Sequence, residues 1–131
     1  MQRVSATDYG FDIVFGGPLT REEADELVEE LRRKLPPPGG RFGVLVDSRQ
    51  VRSYPPEVQQ ALRRGILLCV ERGMVRSIVV LDSEISSIHA QRLGKETDTL
   101  AGTRYVDARA HRNWRRIARA WLLHGIEPSS P

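Results

Sequence analysis

The chain has 131 residues, the length of one ordinary domain, and 40% of them are apolar, enough for a single core. Charged residues make up 28% and the formal net charge is +3, which argues against wholesale disorder and permits an anionic partner without requiring one. The single cysteine, Cys69, excludes an internal disulfide and a cysteine-rich metal site; residues 1–8 lack the apolar run of a signal peptide, and no apolar stretch approaches the roughly 18 residues of a membrane span, so a cytoplasmic protein is expected.

The first strand expected with its pattern intact is 11–15, where Phe11, Ile13 and Phe15 alternate with Asp12 and Val14. The turn at Asp8-Tyr9-Gly10 allows a hairpin with a short edge strand over 2–6. Gly16-Gly17-Pro18 breaks the strand, and Thr20 with Glu23 forms a capping-box pattern ahead of Ala24, Leu27, Val28, Leu31 and Leu35 at helical spacing. Acids gather early in this helix and bases late, as the helix dipole prefers, and the run 36–40 of three prolines and two glycines ends it.

Phe42 to Val46, closed by Asp47, reads as a buried central strand. Pro55-Pro56 can open a helix because its first turn needs no donor there; its expected buried face is Val58, Ala61, Leu62, Ile66, Cys69 and Val70, and Gly73 stops it. Val75 to Leu81 is a β-branched strand, with Asp82-Ser83 capping the next helix, in which Ile85, Ile88, Leu93 and Leu100 are the expected apolar positions and Gly94 is an irregularity. Thr103 to Val106 makes a short strand closed by Asp107. A last helix carries Ala110, Trp114, Ile117, Ala118, Trp121 and Leu122 on one stripe and Arg112, Arg115, Arg116 and Arg119 on another, up to Gly125. The expected fold is a single α/β domain with a mixed, mostly parallel sheet of four to five strands flanked by four helices, a core over about 10–125, and a flexible tail over 126–131.

Chemistry is sparse. Asp47, Asp82 and Asp107 each follow a strand and would gather at the crevice beyond the carboxyl ends of a parallel sheet, where ligands of such folds bind; backbone capping explains them as well as a polar site does. His89, His111 and His124 show no helical metal-pair spacing, no nucleophile elbow surrounds any serine, and Gly39-Gly40 precedes a strand and so lacks the context of a phosphate loop. No cofactor, no metal and no catalytic constellation is expected. Cys69 falls on an apolar helix face and reads as an inert thiol, and Trp114 and Trp121 read as core. The arginine stripe is the sharpest surface feature and suits an anionic partner; without a recognised reader motif it does not point to specific nucleic acid.

Gly17-Pro18-Leu19-Thr20, Phe42-Gly43-Val44-Leu45-Val46-Asp47, Arg104-Tyr105-Val106-Asp107 and Ala118-Arg119-Ala120-Trp121, in that order and spacing, resemble the STAS superfamily, and more closely its small stand-alone members similar to the sporulation anti-sigma-factor antagonist. The resemblance covers roughly 11–124 and implies a bacterial regulatory module that binds other proteins without catalysis; some related folds hold lipids or nucleotides. In the antagonists a serine after the central strand, within an Asp-Ser-Ser-Gly pattern, is phosphorylated. The corresponding stretch here is Ser53-Tyr54-Pro55-Pro56-Glu57, without the glycine, so Ser53 matches only in part and the departure argues against a phosphorylation switch.

Two functions are therefore expected in order: a protein-interaction module engaging its partner through Asp47, Ser48, Arg49, Arg52, Ser53, Tyr54, Asp82 and Ser83, or a carrier or sensor of a small anionic or lipidic ligand in the strand-end crevice. A homodimer is compatible with either.

Overall fold

The structure, a computed structural model, describes residues 2–128. Five strands form one sheet, and their order across it is also their order along the chain. β1 (Gln2–Ala6) and β2 (Gly10–Phe15) make an antiparallel hairpin, closed by the Thr7 N–H donating to the Gly10 carbonyl at 2.8 Å. β3 (Phe42–Asp47), β4 (Met74–Leu81) and β5 (Thr103–Asp107) extend β2 in parallel. α1 (Arg21–Lys34), α2 (Pro56–Arg72) and α3 (Glu84–Glu96) are the crossovers, and α4 (Trp114–His124) follows β5. The α/β class and the mixed, mostly parallel sheet with four helices agree with the expectation.

Because period-2 side chains alternate between faces, β3 sends Phe42, Val44 and Val46 to one side and Leu45 to the other. The first side packs against α1, α2 and α3 together, forming the larger core. On the opposite side, Leu45, Ile78, Val80 and Val106 pack against Trp114, Ala118, Trp121 and Leu122 of α4 alone.

Local signals explain the elements. The Thr20–Glu23 capping box is complete, each side chain accepting the other's backbone N–H at 3.1 Å. Gly73 caps α2 at φ 114°, a left-handed conformation that glycine adopts without strain. Ser83 alone caps α3, its hydroxyl accepting the Ser86 N–H at 3.1 Å, while Asp82 stands one residue earlier and exposed.

Four expectations shift. Ile85 and Ile88 are not core: they are 60% and 57% exposed, and α3 buries the small residues Ser86, Ala90 and Gly94 beside Leu93. Ser86, Ala90, Leu93 and Gly94 form one helical stripe that leaves Ile85 and Ile88 off it, and a Cβ at Gly94 would stand 2.4 Å from the Tyr105 hydroxyl and 2.9 Å from Leu100 Cδ2. On α2, Val70 is exposed and Leu68 buried in its place, and Leu100 belongs to a short 3-10 turn after α3. The last helix starts at Trp114 because the Asp107 carbonyl takes the N–H groups of Ala110 and His111 in a tight turn, so Arg112 lies ahead of the helix. Glu127 makes a forked pair with Arg104 at 2.6 and 2.7 Å; of the expected tail over 126–131, residues 129–131 lie outside the described residues.

Candidate functional site

Three parallel strands end side by side at Asp47, Leu81 and Asp107, and the loops beyond them carry the expected site residues. Asp47 Oδ1 accepts the Arg49 N–H at 3.2 Å, and its two oxygens take Nε and Nη2 of the same arginine at 2.9 and 2.8 Å. Asp107 repeats the arrangement with Arg109, at 2.9 Å from the N–H and 3.0 and 2.9 Å from the guanidinium. These are turns locked by their own side chains, an Asp-x-Arg device used twice. Burial alone would raise the Asp47 carboxyl; the hydrogen bonds and charge of Arg49, helped by the charge of Arg115, hold it below the usual carboxylate range. The hydrogen bond from Arg109 similarly holds Asp107 low. Among the described residues no cluster of three histidine, cysteine, aspartate or glutamate side chains could hold a metal ion.

The arginines are largely engaged. Arg49 and Arg115 both stack on Trp114, at 4.6 and 4.5 Å from the ring centroid, and Arg104 stacks on Trp121 at 4.1 Å. Arg119 makes a forked pair with Asp8 at 2.9 and 2.8 Å, which ties α4 to the β1–β2 turn and supplies an acid that the stripe lacks in its own helix. Arg116 stays exposed on α4 and Arg112 exposed ahead of it. The expected anionic surface is thus partly committed to internal contacts.

The loop from 48 to 55 divides the remaining residues. Arg52 and Ser53 are exposed. Ser48 and Tyr54 turn inward and are buried, with the loop held by the Ser48 N–H on the Val80 carbonyl at 2.9 Å and the Val51 N–H on the Ser48 carbonyl at 3.0 Å. The Tyr54 N–H donates to Nδ1 of His89 on α3 at 3.1 Å.

What Ser48 and Tyr54 face is a chamber of about 100 Å³ between the sheet and α1–α3. Val44, Val46 and Val79 form its floor, and Leu31, Ala61 and Leu93 part of its roof. Among the described residues no charged side chain lines it. Its polar members are mostly satisfied: the Ser77 and Thr103 hydroxyls pair at 2.7 Å, and Thr99 Oγ1 pairs with Thr97 Oγ1 at 3.0 Å. Ser48 is wholly buried, with the Tyr54 side chain as the neighbour of its hydroxyl. Burial pushes the neighbouring Tyr54 phenol up, with the Ser48 hydroxyl acting in the opposite direction. Cys69 also lines the chamber, and burial pushes its thiol up to about 12, away from the reactive thiolate.

Sequence reasoning placed Ser48 and Tyr54 near the strand ends but missed the chamber behind them. It also missed the paired Asp-x-Arg turns, although Asp47-Ser48-Arg49 and Asp107-Ala108-Arg109 are visible as a repeat after two strands. No protein-family model matches the chain, and no curated protein and no solved structure shows significant similarity to it.

Proposed function

We propose that this domain is a non-catalytic binding module that carries or senses a small apolar molecule in the chamber between the sheet and α1–α3. The observation that carries the reading is the chamber itself, with uncharged walls, within the larger core. Interiors pack to near-crystalline density, so a void larger than a few waters is a standing loss of contacts. An apolar cavity of roughly 150 Å³ stays dry and takes up benzene, which sets the scale of ligand that suits about 100 Å³ here. The strand-end position of Ser48 and Tyr54 is where parallel α/β folds meet their ligands. The resemblance to STAS-like modules supports binding over catalysis.

The test is titration of isotope-labelled protein with toluene, followed by amide and methyl NMR. Shifts centred on Val44, Val79 and Ala61 are expected, and a spectrum unchanged up to toluene saturation removes the proposal. Native mass spectrometry of protein purified without refolding reports any retained natural ligand and the oligomeric state.

A second reading, contact with another protein through the same loop, draws on exposed Arg52 and Ser53 and on Ile85 and Ile88, uncovered on α3. Charge reversal at Arg52 that abolishes a specific pull-down partner, with toluene binding intact, would favour it.

A further inference from the structure

We infer that the chamber opens at the amino end of β4, into a cleft whose rim holds Asp98, and that its ligand is a small amphipath with an apolar ring or chain inside and an amine at the rim; the inference rests on the chamber reading above. The carboxyl end of the sheet is shut. Ser48 and Tyr54 are buried there, and their loop is pinned by the Ser48 N–H on the Val80 carbonyl, the Tyr54 N–H on His89 Nδ1 and Gln59 Nε2 on the Tyr54 carbonyl. The opposite end is built differently. Phe42 pairs with Met74 and Gly43 with Arg76, so Val75 is an extra residue, a β-bulge of the kind that re-aims side chains and interrupts pairing. Pairing of β4 with β5 begins only at Ser77 and Thr103, so the first three residues of β4 face the turn after α3 and not a strand. A cleft of about 170 Å³ occupies that gap. Met74, Ser77, Thr99 and Thr103 line both the cleft and the chamber, so one layer of side chains separates the two spaces. Met74 and Thr99 in that layer are only half-buried, and the unbranched methionine side chain can swing aside. Val70 and Val75 on the cleft wall, and Leu100 beside Gly94 of the chamber, are exposed and give the entrance an apolar rim.

The sign of the ligand follows from the cleft. Arg76 and Asp98 are the charged residues that line it among the described residues. Arg76 is turned away: its Nη1 donates to the Leu122 carbonyl at 3.4 Å, and its guanidinium lies 5.7 Å from the Trp121 ring, on the α4 side of the sheet. The Asp98 carboxylate is exposed, and no hydrogen bond or ion pair engages it among the described residues. Asp98 adjoins Thr99, which lines both spaces, so an amine at the rim is one short tether from an apolar group in the chamber. A carboxylate on the same tether would meet Asp98 as a like charge, and inside the chamber it would be a buried charge without a partner. Of the expected anionic or lipidic ligand this keeps the apolar body and reverses the charge of its end.

The experiment titrates toluene, phenethylamine and 3-phenylpropionate, which share a ring, into wild type, Val75→Trp, Arg52→Trp and Asp98→Asn, read by NMR. Val75 and Arg52 are exposed, and asparagine tolerates the left-handed backbone that Asp98 adopts at φ 58°, so all three variants keep the fold. Val75→Trp is expected to slow toluene exchange about tenfold at unchanged affinity, because a blocked entrance slows association and dissociation alike. Arg52→Trp, at the shut end, is expected to leave exchange as it is in wild type. Unchanged exchange in Val75→Trp, or slowed exchange in Arg52→Trp alone, overturns the entrance. Phenethylamine is expected to bind about tenfold more tightly than 3-phenylpropionate, and Asp98→Asn to cut that ratio about threefold, the size of one exposed ion pair. Equal affinities in wild type, or a ratio that survives Asp98→Asn, overturn the amine end and leave the entrance standing. Failure of toluene to bind wild type removes the chamber reading and this inference with it, whereas toluene binding with either failure above removes only the part tested.

Discussion

The backbone N–H of Tyr54 donates to Nδ1 of His89 at 3.1 Å, joining the loop after β3 to helix α3 across 35 residues of chain. The rings also lie near one another, 6.0 Å between centroids. Tyr54 is a wall of the chamber, and its carbonyl also accepts from Gln59 Nε2 at 2.6 Å. His89→Phe keeps a ring of similar size but removes the acceptor. The expected result is a loss of about 1 kcal/mol in stability and faster hydrogen exchange at the Tyr54 amide; unchanged exchange would show that the amide is protected by something else.

Gly65 marks the crossing of α1 and α2, where an added Cβ would meet Leu31 Cδ1 at 3.6 Å and Val28 Cγ2 at 3.8 Å, ordinary contact distances. The residue also lines the chamber. Gly65→Ala is expected to stabilise the protein by about 0.5–1 kcal/mol through helix propensity, and to weaken toluene by occupying chamber space. Chemical denaturation and the NMR titration check the two halves separately; a destabilised variant would mean that the helix crossing has no room for the methyl group.

Trp121 donates its indole N–H to the Ser77 carbonyl at 2.9 Å while its ring fills the core under α4. Trp121→Phe is expected to cost about 1–2 kcal/mol through loss of that hydrogen bond, and Trp121→Ala about 3–5 kcal/mol. Denaturant midpoints read both. Equal losses from the two variants would assign the whole effect to the hydrogen bond and none to packing.

Asp47 ionises below the usual range in the folded state, because the hydrogen bonds and charge of Arg49 outweigh the cost of burial. A depressed folded value means that the stabilisation is complete above the unfolded value of about 3.9 and fades as pH falls through the folded one. Arg49 is 37% exposed, so solvent screening limits the pair to about 1 kcal/mol. Asp47→Asn should therefore melt below wild type by a constant margin above about pH 5, with the margin shrinking in more acid solution. A margin independent of pH would point to shape and hydrogen bonding in the turn in place of charge.

Cys69 gives a built-in reporter, buried with its thiol pushed up to about 12. Thiol reagents at neutral pH should modify it slowly in the native protein and rapidly in denaturant, and toluene should slow the native reaction further. A native rate equal to the denatured one would mean that the chamber opens freely.

Much of this fold was legible because its signals are local. The Thr20–Glu23 box, the Gly73 cap, and the β-branched run over 77–81 each act within a few residues, and all three hold. The misread parts depend on what lies across space. Ile85 and Ile88 have the hydrophobicity of core residues, but α3 turns Ser86, Ala90, Leu93 and Gly94 inward, with the Tyr105 hydroxyl close against Gly94. Arg119 looked unopposed because its acid, Asp8, is 111 residues away. Ser48 and Tyr54 were legible as strand-end residues; the chamber was not, since a void is the space left over when three helices settle on a sheet and no residue encodes it alone.

The agreement between strand order in the sheet and strand order in the chain bears on how the molecule is made. Each strand emerging from the ribosome finds its template already laid down beside it, and none must be threaded between two that have paired. The hairpin of β1 and β2 can seed the sheet, and each crossover helix can dock as its strand arrives. Until α4 is synthesised, however, Leu45, Ile78, Val80 and Val106 have no cover on their side of the sheet. The nascent chain therefore passes through a half-finished stage with one greasy face bare, the interval in which it most needs a chaperone.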